Sequence, residues 1–353
     1  MNPVANTAAL LAGTMLLFLL PLLPALIEYR RKSDALPLRV IQDHAGEIRH
    51  FSQSFREFVK RLHGPLQEAA LRGTTSSGML PDGSEYILLG HGAIPFFTPQ
   101  ELERAVIDRV VVCARTFNAP DKMVFAKEMH IHGDLRGGAA NVFRAVLTEQ
   151  NASLGAGSMV LRWMHTVGEL RAQAKCLFHG RLSSDRLIQL GAGCKFERMN
   201  APRIEFGDVT AKPAHEDPNT PSQLDAPVQR FLVHGDLDVP AWKALHGSVV
   251  ASGDVRLRRG ARVMGSIKSN GDLVLEEGAQ VDGSAICTRK MTIGRNCRVH
   301  GPVLAEHELA IERGACCGSV EKPTTISAPE IRIRVGAMAF GTVWAKEQGL
   351  VES

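Results

Sequence analysis

The last third of the chain repeats every 18 residues, and a period of that length leaves few folds open. Val263, Val281 and Val299 are spaced 18 apart, and Cys317 takes the next place. Leu257, Leu275, Ile293 and Ile311 form a second column at the same spacing, and Gly265, Gly283 and Gly301 a third. The period divides into sixes, with a small or apolar residue at every sixth place from Leu257 to Cys317 and a second such track two positions earlier. Two inward side chains separated by an outward one make a short strand, because successive side chains point to opposite faces. Three such strands per 18 residues close a triangular coil. The expected fold is all-β: a triangular β-solenoid, or β-helix, of ~18 residues per rung. Its core would hold Leu257, Val263, Leu275, Val281, Ile293, Val299 and Ile311.

Composition suits a coil of this kind. Of 353 residues, 33 are glycine and only 5% are aromatic. Corners need glycine, and a narrow lumen takes small or β-branched side chains. A net charge of +4 and the lack of any nucleic-acid-binding motif argue against nucleic acid as a partner. The seven cysteines include no C-x-x-C pair and no Cys/His zinc spacing. Cys287, Cys297 and Cys317 fall on lumen positions, where a thiol behaves as a small hydrophobe. Reduced thiols favour a cytosolic address, and no cofactor is expected.

Residues 8–27 carry no charge and are long enough to cross a bilayer as a helix. Arg30, Arg31 and Lys32 follow the apolar run, and no Lys or Arg precedes it. The positive-inside bias then predicts a single pass with the carboxyl-terminal part in the cytoplasm. Residues 1–28 are expected as a transmembrane anchor and 29–72 as an amphipathic, coiled-coil-like helix. Ile41, Ile48, Phe55 and Leu62 are seven apart on that helix, with Gly64-Pro65 as its stop. Packing on its own domain or on the membrane surface competes with a short coiled coil.

Residues 73–108 read as a loop and a capping helix. Thr98-Pro99-Gln100-Glu101 is a capping box that opens a helix to about Asp108, expected to cover the first coil. Residues 109–206 repeat more weakly. Leu154-Gly155-Ala156-Gly157 returns as Leu190-Gly191-Ala192-Gly193, 36 residues or two rungs later, with Trp163 and Met199 as matching places beyond. An irregular solenoid of about five rungs is expected there. Residues 207–230 are a Pro-rich insertion, 231–345 the regular solenoid and 346–353 a tail.

Catalytic motifs are missing: there is no G-x-S-x-G, Walker loop or G-x-G-x-x-G. His130-x-His132 sets two rings on one strand face, but the sequence names no third ligand, and no metal site is expected. Histidines recur at the second place of an apolar-x-Gly-x-apolar corner, as at His132, His179, His234, His246 and His300, and read as solvated. Arg259, Glu277 and Arg295, and Arg258 with Glu276, should form outward ladders between rungs.

The run Gly271-Asp272-Leu273-Val274-Leu275-Glu276-Glu277-Gly278-Ala279-Gln280-Val281-Asp282-Gly283-Ser284-Ala285 resembles the bactofilins, the polymer-forming bacterial cytoskeletal family. Residues 253–267 fit the same pattern one rung earlier. The resemblance covers roughly residues 245–343. It implies a right-handed coil that stacks end to end and recruits cell-envelope or polysaccharide enzymes, without catalysis of its own. The long amino-terminal half departs from that family, so a non-polymerising adaptor stays open. The same hexapeptides fit left-handed β-helix acyltransferases, for which His300 and His307 are the candidate bases. Residues 253–319 carry none of the extruded loops such enzymes use. An apolar cluster, Met338, Phe340, Val343 and Trp344, closes the repeat and is the expected self-association surface.

Overall fold

The computed structural model describes residues 13–15, 18–23, 48–91, 97–207 and 229–353. It divides into two units, Met1–Glu47 and Ile48–Ser353. In the first unit the described residues are helical, and Met15, Phe18, Leu19, Leu20, Leu22 and Leu23 are exposed. No helix among the described residues is long and apolar enough to cross a membrane. The expected span at residues 8–27 lies mostly outside the described residues, as do Ile41 and most of the insertion at 207–230.

The second unit is a β-solenoid of about 13 turns. It is built as two coils. In the carboxyl-terminal coil each rung has three short strands, and each strand pairs in parallel with its counterpart one rung on. The first side holds Val249, Ile267, Ala285 and Val303 in register, the second Leu257, Leu275 and Ile293, and the third Val263, Val281, Val299 and Cys317. Leu257, Val263, Leu275, Val281, Ile293, Val299 and Ile311 are all buried, as are Cys287, Cys297 and Cys317. One corner needs left-handed backbone at every turn: Gly260, Gly278 and Gly314 have φ of 64, 72 and 75°. Glycine enters that region without steric cost. Arg259 and Glu277 pair at 3.3 Å across rungs, and Arg258 meets Glu276 at 3.2 Å.

The amino-terminal coil keeps the same three sides with larger contents. Phe125, Phe143, Val160, Phe178 and Phe196 form one lumen column. The Phe125 and Phe143 rings stack 5.2 Å apart. Leu154 and Leu190 sit two rungs apart, as the repeat implies. Trp163 and Met199 are not equivalent, however. Trp163 aligns with Arg181 and Arg198, while Met164 aligns with Leu182 and Met199. Trp163 therefore faces outward, under a helix.

That helix is broken into α1 (His50–Val59) and α2 (His63–Arg72), joined by a 3-10 turn at Lys60–Leu62. Gly64-Pro65 does not stop it. Pro65 falls in the first turn of α2, where a missing N–H costs no hydrogen bond. The stop is Gly73, at φ 64°. Phe55, Val59, Leu62 and Leu66 pack on Leu88, Val112, Leu147 and Trp163 of the coil's outer face. The seam is used within its own unit. Phe51 and Phe58 flank the buried face at 41% and 36% exposure, with the Arg181 guanidinium of the coil 4.8 Å from the Phe51 ring.

Beyond it lies a hairpin, Thr75–Met79 with Glu85–Leu89. Helix α3 (Pro99–Arg104) carries the expected capping box but ends at Ala105, because Val106–Ile107 already forms a strand of the first rung. Phe97 is buried and packs edge-on to Phe117, and Arg109 donates two hydrogen bonds to Glu101, at 2.8 and 2.6 Å. These elements close the amino-terminal end of the first coil.

The two coils meet at their carboxyl-terminal ends. The last strand, Met338–Glu352, pairs antiparallel with Lys195–Phe206 along all three sides: Glu205 with Met338, Met199 with Val343, and Lys195 with Leu350. Residues 346–352, expected as a tail, belong to this strand. The expected assembly surface is therefore covered from within the chain. Met338, Phe340 and Val343 are buried, and Trp344 lies under the Arg198 guanidinium at 5.2 Å. Antiparallel pairing of two coils stacked end on end requires both to have the same hand.

Candidate functional sites at an open coil end and under the helix

Two places in the second unit stand apart from the regular packing. The first is the opening rung of the carboxyl-terminal coil. Its strands, Arg230–Val233, Leu237–Val239 and Ala244–Leu245, pair only with the rung that follows, among the described residues. Among the described residues nothing pairs with their other edge, and such an edge is a template for a further strand. Val233, Leu237 and Leu245 belong to the lumen but are only partly buried. The equivalent residues one rung on, Ala251, Val255 and Val263, are at most 1% exposed. Leu232 and Trp242 stand out at 71% and 72% exposure. Trp242 also takes φ 62° in the column held by Gly260, Gly278, Asn296 (φ 57°) and Gly314. A bulky side chain in that region is an outlier, strained by about 1–2 kcal/mol.

The second place is a cluster of three histidines between α2 and the coil. Within α2, His63 follows Val59 by four residues, on the face turned to the coil. His130 is the penultimate residue of the strand Val124–Ile131, facing outward between Val112 and Leu147. Alternation puts His132 on the same side. One ring nitrogen from each lies within 4.8 Å of the others. Ring centroids are 4.4 Å apart for His130 and His132, and 5.4 Å for His63 and His132. The helix covers His132, which the corner motif had marked as solvated; His179, His234 and His246 are exposed as expected.

The electrostatics of the cluster follow from its burial. Glu149 accepts from His130 Nε2 at 2.7 Å and from the Arg56 guanidinium at 3.0 and 2.9 Å. Burial alone would raise the Glu149 carboxyl, but these bonds outweigh it and hold it at about 2. Burial first, and then the neighbouring His130, push His132 down to about 4. His63 Nε2, His130 Nδ1 and His132 Nε2 are buried without a hydrogen-bond partner. An unpartnered buried polar atom costs about 1–3 kcal/mol, and three of them converge here. His130-x-His132 was legible as a strand motif. His63, 67 residues earlier than His130, joins it only because α2 docks on that face.

His300 lies at a corner 3.9 Å from the Asp282 carboxylate, and His307 is exposed at another corner of the coil. The insertion after Ser319 adds four residues to the step from Cys317 to Ala339 and forms a tight turn. No protein-family model, curated protein or solved structure matches this chain.

Proposed function

We propose that this chain is a membrane-anchored, non-catalytic scaffold of bactofilin-like type, whose right-handed coils pair with a second copy through the open rung at residues 230–245. It would sit on the cytoplasmic face of a bacterial inner membrane and recruit envelope or polysaccharide machinery. The observation that carries the reading is the contrast between coil ends: two are sealed against each other, one is plugged by Phe97 and α3, and one offers an apolar lumen with Leu232 and Trp242 exposed. The tail joint supports a second copy as occupant, since two coil ends of this chain already satisfy each other's backbone by antiparallel pairing. Exposed apolar side chains on the helical residues 18–23 support the membrane anchor. The bactofilin-like run at residues 253–285 supports the scaffold class.

The test is the mass of the detergent-solubilised full chain by light scattering. A dimer is expected for the wild type. Leu232→Arg combined with Trp242→Gly should give a monomer that melts at the same temperature or higher, because glycine relieves the backbone at that corner. A monomeric wild type, or a double variant that remains dimeric, would sink the proposal.

A further inference from the structure

We propose that His63, His130 and His132 bind a divalent transition-metal cation of the zinc class, and that this ion pins α2 to the amino-terminal coil. The inference is independent of how copies associate. Three imidazoles from two different elements converge with their unpartnered nitrogens buried. A tetrahedral ion bound at about 2.0–2.1 Å would set these nitrogens about 3.4 Å apart. Ring rotations that move them by roughly an ångström bring them from within 4.8 Å to that spacing. Imidazole donors suit zinc, copper or nickel, whereas calcium and magnesium take oxygen ligands.

Glu149 completes the pattern from outside. Its carboxylate oxygen accepts a hydrogen bond from His130 Nε2 at 2.7 Å, which leaves the Nδ1 lone pair for the metal. A carboxylate behind a ligating histidine fixes the tautomer and orients the ring. Arg56 in turn holds Glu149 with two hydrogen bonds, so α1 and the ligand set are braced together. Water would fill the fourth position. His130 is fully buried and Phe55 packs edge-on to it at 6.4 Å, which shields that side of the site from solvent.

The experiment titrates the full chain, purified in detergent and stripped with chelator, with Co2+ and then Zn2+. The wild type should bind one ion per chain, give the intense visible bands of tetrahedral cobalt, lose them to zinc, and melt at a higher temperature with zinc than without. His63→Gln and His132→Gln should each weaken binding about 100-fold or more and abolish the zinc-dependent rise in melting. Glu149→Gln should weaken it about 10–100-fold at unchanged stoichiometry. Circular dichroism identical to wild type ensures that each variant is folded. A wild type without saturable one-to-one binding overturns the site, as does a folded His63→Gln of unchanged affinity. Tight binding without a rise in melting temperature overturns the pinning.

Discussion

At the scale of single residues, the lumen of the carboxyl-terminal coil was readable because its columns hold small aliphatics at an unbroken spacing of 18. Val281 illustrates the stringency. It is fully buried between Val263 and Val299, while Gln280, one residue earlier, faces outward between Arg262 and Arg298. Val281→Asp should cost roughly 3–5 kcal/mol, the penalty of a buried charge without a partner. Gln280→Asp should stay within about 0.5 kcal/mol. Urea midpoints measure both, and similar shifts for the two would refute the register. The amino-terminal coil hid its column for two physical reasons. Its lumen accepts phenylalanine, and the step from Phe143 to Val160 is 17 residues where its neighbours are 18. The histidine cluster was half hidden, since strand alternation places His130 and His132 together but nothing local to residue 63 announces where its helix will dock.

At the scale of elements, α3 was legible from four residues. Thr98 and Glu101 exchange backbone and side-chain hydrogen bonds as a capping box requires, and Arg109 reaches back to Glu101. Burial by itself would raise the Glu101 carboxyl, but the Arg109 guanidinium and the Thr98 N–H and hydroxyl hold it below the usual carboxylate value. A folded pKa below the unfolded one contributes stability at neutral pH, and that contribution is lost as pH falls through the folded value. Glu101→Gln should therefore destabilise the chain at pH 7 by about 1 kcal/mol and progressively less toward pH 3. Denaturation midpoints across that range check the sign. An equal loss at both ends would mean that the carboxylate charge plays no part. The misplaced stop at Gly64-Pro65 carries a related lesson. Proline ends a helix only past its first turn, and the 3-10 turn before His63 opens a new first turn for Pro65 to occupy.

At the scale of the whole molecule, the period disclosed coils but not which end meets which. The pairing of Lys195–Phe206 with Met338–Glu352 is a contact between segments about 140 residues apart, set by matching triangular cross-sections. The joint is tightest where Gly349 faces Phe196: a Cβ added at Gly349 would overlap the buried phenylalanine ring. Gly349→Val should cost about 1–3 kcal/mol by overpacking and should expose the joint to proteolysis. Thermal melting with limited digestion tests this; a variant as stable and resistant as wild type would mean that the last rung does not sit against the first coil.

That joint also reverses the direction in which the chain winds forward. A solenoid normally has a head and a tail, so copies stacked one way grow without limit. Here the tails consume each other, and both outer faces of the molecule are heads. On the proposed pairing a stack of such chains would lack polarity, and with one head already plugged it would end at two members. Two copies paired in that way, with about 13 turns each at about 4.8 Å per turn, would give a solenoid rod on the order of 125 Å long. Such an object would measure a distance instead of filling one: it would hold two α1 helices at a fixed separation.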